Sequence, residues 1–459
     1  MKNKTTNIKK NDIVKLDITA MSSDGSGIGR IDDLVVFVPN TAVGDVVRVK
    51  IVKVLKSYAF GRIEQIITAS EDRIKNDCPV FKKCGGCAYR HLSYAAETKC
   101  KAQQVFHNIK AIGKTNLDFT DDILCNFDKT ERYRNKGQYP VGTNEKGEII
   151  FGFYAPRSHR IIPIEDCALQ PKVFSEILCE IKGFLIEKRI SVYNETTKKG
   201  LFRHIYLREG SVSGEIMVCF VVNGETFTDK NELCERLAFK FPQIKSIVLN
   251  VNRTENNVIL GEKCITLWGS DTISDIMCGL TVKLSPLSFY QVNHDMAERV
   301  YRLAGELAEP KGDETLLDLY CGAGLIGLSM AHKVKKIVGI EVVPEAIENA
   351  KQNAQDNNIK NAEFFCGDAS LIGKLLEDGY RFDIAIVDPP RKGCSADVLE
   401  ALSQSGARKI VYVSCNSATL ARDIDILSQK GYSAKKVIPA DLFPRTIHCE
   451  TVCLLSKVN

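Results

Sequence analysis

From residue 315 onwards the chain alternates strand-like and helix-like runs with little between them. TLLDLY, KIVGIEV, AEFFCGD, FDIAIVDPP and KIVYVSC read as strands, and CGAGLIGLSMAHK, PEAIENAKQNAQDN, SADVLEALSQ and SATLARDIDILSQ read as helices. Repeated strand–helix units bury their apolar faces as a parallel, doubly wound α/β sheet with helices on both sides. Ligands of such sheets sit at the C-terminal ends of the strands, so the search for chemistry starts there.

Four strand ends carry unusual residues. Asp318 to Gly327, DLYCGAGLIG, is a Gly-rich turn between a strand and a helix N-terminus, where backbone can approach a ligand closely. By itself this signal is weak, because dinucleotide-binding enzymes share it. Glu341 closes the next strand, where a carboxylate can accept from ribose hydroxyls. Asp388-Pro-Pro-Arg ends the fourth strand, a placement similar to that in S-adenosylmethionine-dependent methyltransferases. Cys415 ends the fifth strand in VSCNSATLARD, and Glu450 lies beside a later strand in FPRTIHCE. The DPP element alone also suits methylation of an exocyclic adenine or guanine amine, which requires no nucleophile. Cys415 favours another chemistry. Carbon 5 of uracil becomes nucleophilic only after a thiolate adds to carbon 6, and a base must later remove the carbon 5 proton. A strand-end thiol activated by nearby cations and a following helix N-terminus, with a carboxylate beside it, supplies both parts.

A chain of 459 residues calls for two or three domains. Residues 1–70 alternate as short strands (DIVKLDI, DLVVFVP, DVVRVKIVKV, YAFGRIEQII) separated by Gly-rich turns, which predicts an OB-like β-barrel. Lys15, Arg30, Lys50, Lys53, Lys56 and Arg62 are interleaved, as a phosphate backbone or a plain wet sheet face would have them. Only the tail near Lys2–Lys10 is expected to stay outside the fold. Between about 125 and 287 the chain is strand-rich, with Arg132, Tyr133, Arg134, Tyr154, Arg157, Arg160, Phe202, Arg203 and Tyr206 interleaved in a mix that suits RNA bases and phosphates. No apolar run approaches the roughly 20 residues that span a bilayer, and the N-terminus MKNKTTNIKKND has no signal-peptide core. A cytoplasmic location is therefore expected, where disulfides are disfavoured. Five of the 17 cysteines stand apart from apolar strands: Cys78, Cys84, Cys87, Cys167 and Cys415. CPVFKKCGGC places three thiols at C-x5-C-x2-C spacing, enough to converge on one metal or cluster. Cys100, Cys125 and Cys167 are candidates for a fourth ligand, Cys167 being preferred. The spacing leans towards a [4Fe–4S] cluster, with four-cysteine zinc as the rival.

VSCNSATLARD, FPRTIHCE, DPPRKG, SFYQVN, DLYCGAG and the cysteine run together resemble the RNA uracil-C5-methyltransferase family, most nearly its iron–sulfur 23S rRNA branch. The first 70 residues resemble a TRAM domain, through Gly25, Gly27, Gly29, Arg30 and the VPxxxVGD-like run. The resemblance implies Cys415 as nucleophile and Glu450 as proton acceptor. It implies S-adenosylmethionine against Gln291, Tyr320, Glu341 and Asp388, and a [4Fe–4S] cluster on Cys78, Cys84, Cys87 and Cys167. It further implies a central iron–sulfur β-domain of residues 71–92 and 123–287, and a methyltransferase domain of residues 93–122 and 288–459, with the helix at 93–117 packed on the latter. The expected partner is 23S ribosomal RNA, bound by a monomer, with a tRNA uridine or a non-catalytic RNA-binding role as alternatives. The family's usual Pro and His are replaced by Ser417 and Arg445, which is expected to alter local packing or RNA contact but not to abolish activity. RNA cytosine-C5 methylation would need a Pro-Cys pair, and the chain has none. Radical chemistry would need a C-x3-C-x2-C run, also missing.

Overall fold

The computed structural model describes residues 8–115, 117, 122–368 and 370–458. Residues 1–7 of the tail expected outside the fold lie outside this range, while the Lys9 amide donates to Asp12 Oδ2 at 2.7 Å.

The C-terminal sheet has seven strands in the spatial order Ala362–Cys366, Lys336–Glu341, Thr315–Leu319, Ile384–Val387, Lys409–Ser414, Glu450–Lys457, Tyr432–Ala440. The first five are parallel, as the strand–helix alternation requires. The strand order reverses between Thr315–Leu319 and Ile384–Val387, which opens a crevice at their C-terminal ends. The sheet is not wholly parallel, however. Tyr432–Ala440 and Glu450–Lys457 are joined without a crossover helix and pair antiparallel, so Glu450–Lys457 also runs against Lys409–Ser414. One reversed strand thus begins where its neighbour ends, and Ser414 faces Thr451.

The first six strands form the expected barrel, in the order Ile13–Asp17, Val46–Val54, Tyr58–Thr68, Leu34–Val38, Gly27–Ile31, Ala20–Met21. Alternate residues (Val36, Val38, Val47, Val49, Ile51) fill its core. A second seven-stranded sheet runs from Lys136–Thr143 to Lys263–Gly269. One face is covered by helices Lys172–Glu187 and Lys230–Lys240, which the strand-rich reading of this region passed over. Its other face, through Tyr206, Met217 and Val248, shares one core with helix His294–Ala308 and the C-terminal sheet. Several arginines and aromatics assigned to an RNA surface are therefore internal. Phe202, Tyr206, Tyr133 and Arg203 are all buried, and Arg203 donates to the Asn252 and Thr254 carbonyls. Arg157 and Arg160 remain exposed.

Helix Tyr94–Ala111 starts on Ser93, whose side chain caps the Ala96 amide, and packs Ala102, Val105, Phe106 and Ile109 against the C-terminal sheet's core. Its polar buried residues hold the segment that precedes Glu450. Lys101 Nζ bridges Glu97 Oε1 and Asp441 Oδ1, each at 2.8 Å, and reaches the Phe443 carbonyl at 3.1 Å. Tyr94 donates to Asp441 Oδ2 at 2.9 Å, and Glu97 accepts the Arg445 amide at 2.6 Å. No helix among the described residues is long and apolar enough to cross a membrane.

Removing the cation from this buried network leaves two carboxyls facing each other. Lys101→Met is expected to lower the free energy of urea-induced unfolding by about 3–5 kcal/mol. Lys114→Met, which breaks an exposed pair with Asp425, is expected to change it by less than about 1 kcal/mol.

Candidate active site

The antiparallel register brings two of the residues singled out in the sequence together. Cys415 follows Ser414, Glu450 precedes Thr451, and Ser414 pairs with Thr451, so thiol and carboxyl arrive at the same sheet edge. Asn416 then caps helix Ser417–Gln429, its side chain accepting from the Ala418 and Thr419 amides, which fixes the backbone directly after Cys415. Asn416 also donates from Nδ2 to the Arg391 carbonyl at 3.2 Å, tying the DPPR loop to the same corner.

These groups feel one another. Burial pushes the Glu450 carboxyl up to about 8, with Asp388 adding to the effect and Arg391 opposing it. Burial, and then Asp318, push Asp388 up to about 7. The Cys415 thiol is raised by burial and by the neighbouring Glu450 and Asp388, and lowered by Arg391. In this site the thiolate is disfavoured first by burial and then by the two carboxyls, and favoured by a guanidinium. Arg391 stood in the DPPRKG motif, but only its place in the structure assigns it a role. His448 Nε2 lies 3.4 Å from Arg391 Nη2 and its ring meets Phe443 edge-on, so it borders the site through Arg391.

Of the residues expected to hold the cofactor, Tyr320, Glu341 and Asp388 lie at or just after the C-terminal ends of three neighbouring parallel strands. Asp318 is fully buried, with Oδ2 accepting the Gly327 amide at 2.9 Å and Oδ1 left without a partner. Gly324, at φ +77°, lies so close to Phe364 that a Cβ there would come within 3.0 Å, so this turn is built for backbone rather than side chains. Glu341 holds the turn from the next strand, accepting from Gly322 at 3.2 Å and Val343 at 2.9 Å. Tyr320, at φ +64°, places its ring beside Cys394. The Gln291 carbonyl accepts from Asn135 Nδ2, while its side chain reaches Tyr301, a buried phenol facing Asp388 and Asp318. An orphaned buried carboxylate oxygen above a Gly turn is suited to a polar or cationic ligand.

A second set gathers some way along the chain. Cys78, Cys84, Cys87 and Cys167 line one cavity of about 1340 Å³, together with Arg90 and Arg134. Burial pushes Cys87 up to about 12, with Cys167, Cys84 and Cys78 adding to it, so the four thiols are mutual neighbours. The Gly86 amide donates to Cys84 Sγ at 3.4 Å. Neither Cys100 nor Cys125 joins them. Among the described residues no three His, Cys, Asp or Glu side chains are gathered tightly enough to hold a single metal ion.

Both substitutions noted in the sequence act through packing. Ser417 Oγ accepts from Asn108 Nδ2 at 2.9 Å, which fastens helix Ser417–Gln429 to helix Tyr94–Ala111. Arg445 is buried at φ +71°, donates to the Leu92 carbonyl and Glu97, and lies over the Tyr94 ring, so it is no RNA contact.

Comparison with known proteins gives a consistent result. The model for the tRNA (Uracil-5-)-methyltransferase family matches residues 127–458, and that for the TRAM domain matches residues 9–63. A Clostridium tetani protein described as an uncharacterized RNA methyltransferase is 41% identical over 450 residues, covering 98% of this chain and 97% of that protein. A similarly described Staphylococcus aureus protein is 41% identical over 450 residues, covering 98% and 99%. Among solved structures, the Pyrococcus abyssi tRNA (uracil-54, C5)-methyltransferase in complex with S-adenosyl-L-homocysteine superposes with a TM-score of 0.76 at 27% identity, covering 96% of this chain and 99% of that one.

The raised Glu450 carboxyl has a consequence for stability. Unfolded, Glu450 ionises near its ordinary 4.5; folded, only near 8. Between those values the fold retains a proton that the unfolded chain has lost, so stability falls as pH rises through the window and levels off above it. Glu450→Gln escapes this cost. At pH 8.5 it is expected to unfold at higher urea than the parent, by on the order of a few kcal/mol, with the difference vanishing below pH 5.

Proposed function

The chain belongs to the S-adenosylmethionine-dependent RNA uracil-5-methyltransferase family, and on that premise we propose that it methylates carbon 5 of a uridine in 23S ribosomal RNA. The observation that supports uracil carbon 5 chemistry is the register that pairs Ser414 with Thr451 and so brings Cys415 and Glu450 to one end of the sheet. S-adenosylmethionine, when bound against Gln291, Tyr320, Glu341 and Asp388, supplies a methyl group on a sulfonium sulfur. Cys415 adds as thiolate to carbon 6 of the uracil, leaving electron density on carbon 5. Carbon 5 forms its bond to the methyl as the sulfonium–methyl bond breaks, which leaves the neutral thioether. Glu450, as carboxylate, then takes the carbon 5 proton, and the electrons of that C–H bond re-form the 5,6 double bond as Cys415 leaves. Overall, a methyl replaces a proton, which ends on Glu450, and the Cys415 thiolate is restored.

Cys415 sits where its protonation answers to its neighbours. At neutral pH burial keeps Glu450 largely protonated, which removes one of the charges opposing the thiolate, while Arg391 favours it. Glu450 must lose its proton before it can serve as acceptor, so removal of the carbon 5 proton with elimination of Cys415 is the step that quickens as pH rises towards 8.

Cys78, Cys84, Cys87 and Cys167 would hold a [4Fe–4S] cluster. Support comes from four thiols sharing one cavity and an amide donating to sulfur. The cavity is lined by the Asp77–Arg90 segment and by residues of the central region from Glu131 to Lys182, and no step of methyl transfer passes through a cluster held there. The cysteine set favours ribosomal RNA, because members of the family that act on tRNA commonly lack it. A tRNA uridine is the second reading, favoured by the fold-wide similarity to the Pyrococcus abyssi tRNA enzyme.

RNA carrying 5-fluorouridine decides between them, since fluorine cannot leave as a proton and the adduct to Cys415 accumulates. The anaerobically prepared protein with S-adenosylmethionine is expected to form a denaturation-resistant adduct with 23S rRNA fragments and none with tRNA. The adduct should vanish in Cys415→Ala. An adduct with tRNA alone keeps the chemistry and moves the target. No adduct with any RNA overturns the proposed function.

A further inference from the structure

Helix Ser417–Gln429 buries Leu420, Ala421, Ile424 and Leu427 against the core of the C-terminal sheet, and within that apolar face it buries Asp423 completely. A carboxylate so placed is destabilising unless its oxygens are met, and an apolar side chain of similar volume would pack there without that penalty. Its partners show what it holds. Oδ2 accepts from the Tyr412 hydroxyl at 2.6 Å and from the Cys394 amide at 2.8 Å, while Oδ1 accepts from Arg422 Nε at 2.8 Å and Nη2 at 2.6 Å. Arg422 Nη2 also donates to the Lys392 carbonyl at 3.1 Å and the Cys394 carbonyl at 2.9 Å. Gly393 lies between them at φ +73°, where a Cβ would come within 2.7 Å of both Arg422 Nη2 and Asp423 Oδ2. The start of the same helix takes the Arg391 carbonyl, to which Asn416 Nδ2 donates at 3.2 Å and Thr419 Oγ1 at 3.3 Å. The backbone from Arg391 to Cys394 is thus clamped to the helix that follows Cys415, with Asp423 at the centre of the clamp.

The Arg391 side chain has little else to orient it. It is exposed, meets the His448 ring at 3.4 Å, and has no carboxylate within ion-pair distance among the described residues. A guanidinium that no acid grips takes its place from the backbone beneath it. That place matters, because Arg391 favours the Cys415 thiolate against burial, Glu450 and Asp388. The charged and titratable groups facing Asp423 are Arg422, Tyr412, Tyr320 and Cys394, whereas those facing Cys415 are Glu450, Asp388 and Arg391.

We infer that Asp423 is a positioning residue: by clamping the backbone from Arg391 to Cys394 onto the helix behind Cys415, it sets where the Arg391 guanidinium stands against the nucleophile. The inference rests on the reading of Cys415 as nucleophile and adds a residue that acts on it only through another.

The test is the pH dependence of Cys415 alkylation by iodoacetamide, followed peptide by peptide in the full chain without RNA or S-adenosylmethionine. Buried Cys453 serves as the folding control and exposed Cys179 as the reagent control. Arg391→Met removes the cation and is expected to raise the Cys415 midpoint by about one pH unit or more. Asp423→Asn keeps the shape of the side chain and loosens the clamp, and is expected to raise the midpoint by on the order of one unit. Alkylation at neutral pH then slows about three- to fourfold, because a more basic thiolate is scarcer but more nucleophilic. The direction is diagnostic, since neutralising a carboxylate that acted through space would lower the midpoint. In an Arg391→Met background Asp423→Asn should add no further shift. Arg422→Gln changes a half-exposed side chain of the same clamp and should shift the midpoint in the same sense, so a poorly folding Asp423→Asn does not end the test.

The inference is overturned if Arg391→Met leaves the midpoint in place. It is equally overturned if the clamp variants, with Cys453 still protected, leave the midpoint unchanged or lower it, or raise it as much in the Arg391→Met background as in the parent. A protein whose midpoints shift as described but that forms no adduct with 5-fluorouridine RNA would keep the clamp and lose the function proposed above.

Discussion

The antiparallel pairing of Glu450–Lys457 with Lys409–Ser414 is the contact on which the site depends. In a wholly parallel sheet two neighbouring strands present the same end to the crevice and could offer two strand-terminal residues, but each would be followed by its own helix. Reversing one strand lets a residue that enters the sheet meet one that leaves it. Register does the rest, because a slip by one residue would turn Glu450 to the other face. The segment from Asp441 to Cys449 cannot drift, since Lys101, Glu97 and Tyr94 hold its backbone and Asp441 from below. Tyr133 from the central region donates to the Pro444 carbonyl as well, so three parts of the chain converge on one loop.

That rigidity lets the protein keep acids where water would not. Asp318, Asp388 and Glu450 are all pushed upward by burial, each adding to the next. Such an arrangement lowers stability at neutral pH and is tolerated where it sets the protonation of reacting groups. Burial is the main cause that raises the Cys415 thiol, with the Glu450 and Asp388 carboxyls adding to it and Arg391 opposing it.

Much of this was legible in the residues. The strand–helix alternation announced the parallel sheet, and the alternating strands of the first 70 residues announced the barrel, because both depend on local periodicity. Cys415 and Glu450 stood at strand ends and carried a chemistry that few other pairs would. Periodicity could not show the reversed direction of Glu450–Lys457, which follows from a missing helix between two strands. Nor could it show that Arg391 lies near both Cys415 and Glu450, or that Glu97 and Lys101, four apart on an amphipathic helix, are buried rather than solvated. Arg203, Tyr206 and Phe202 misled for the opposite reason. Their strand, Phe202–Glu209, is covered on both faces, and a centrally placed strand gives no sequence sign of which polar residues find internal partners.

The central claim is a division of labour between Cys415, which makes and breaks the bond to carbon 6, and Glu450, which removes the proton. It is tested most directly by mixing Glu450→Gln with ordinary uridine-containing RNA and S-adenosylmethionine labelled in the methyl group, then counting label under denaturing conditions. The account predicts one methyl per protein molecule, trapped in a covalent RNA–protein adduct that does not turn over. Methylated RNA released free through many turnovers would contradict it.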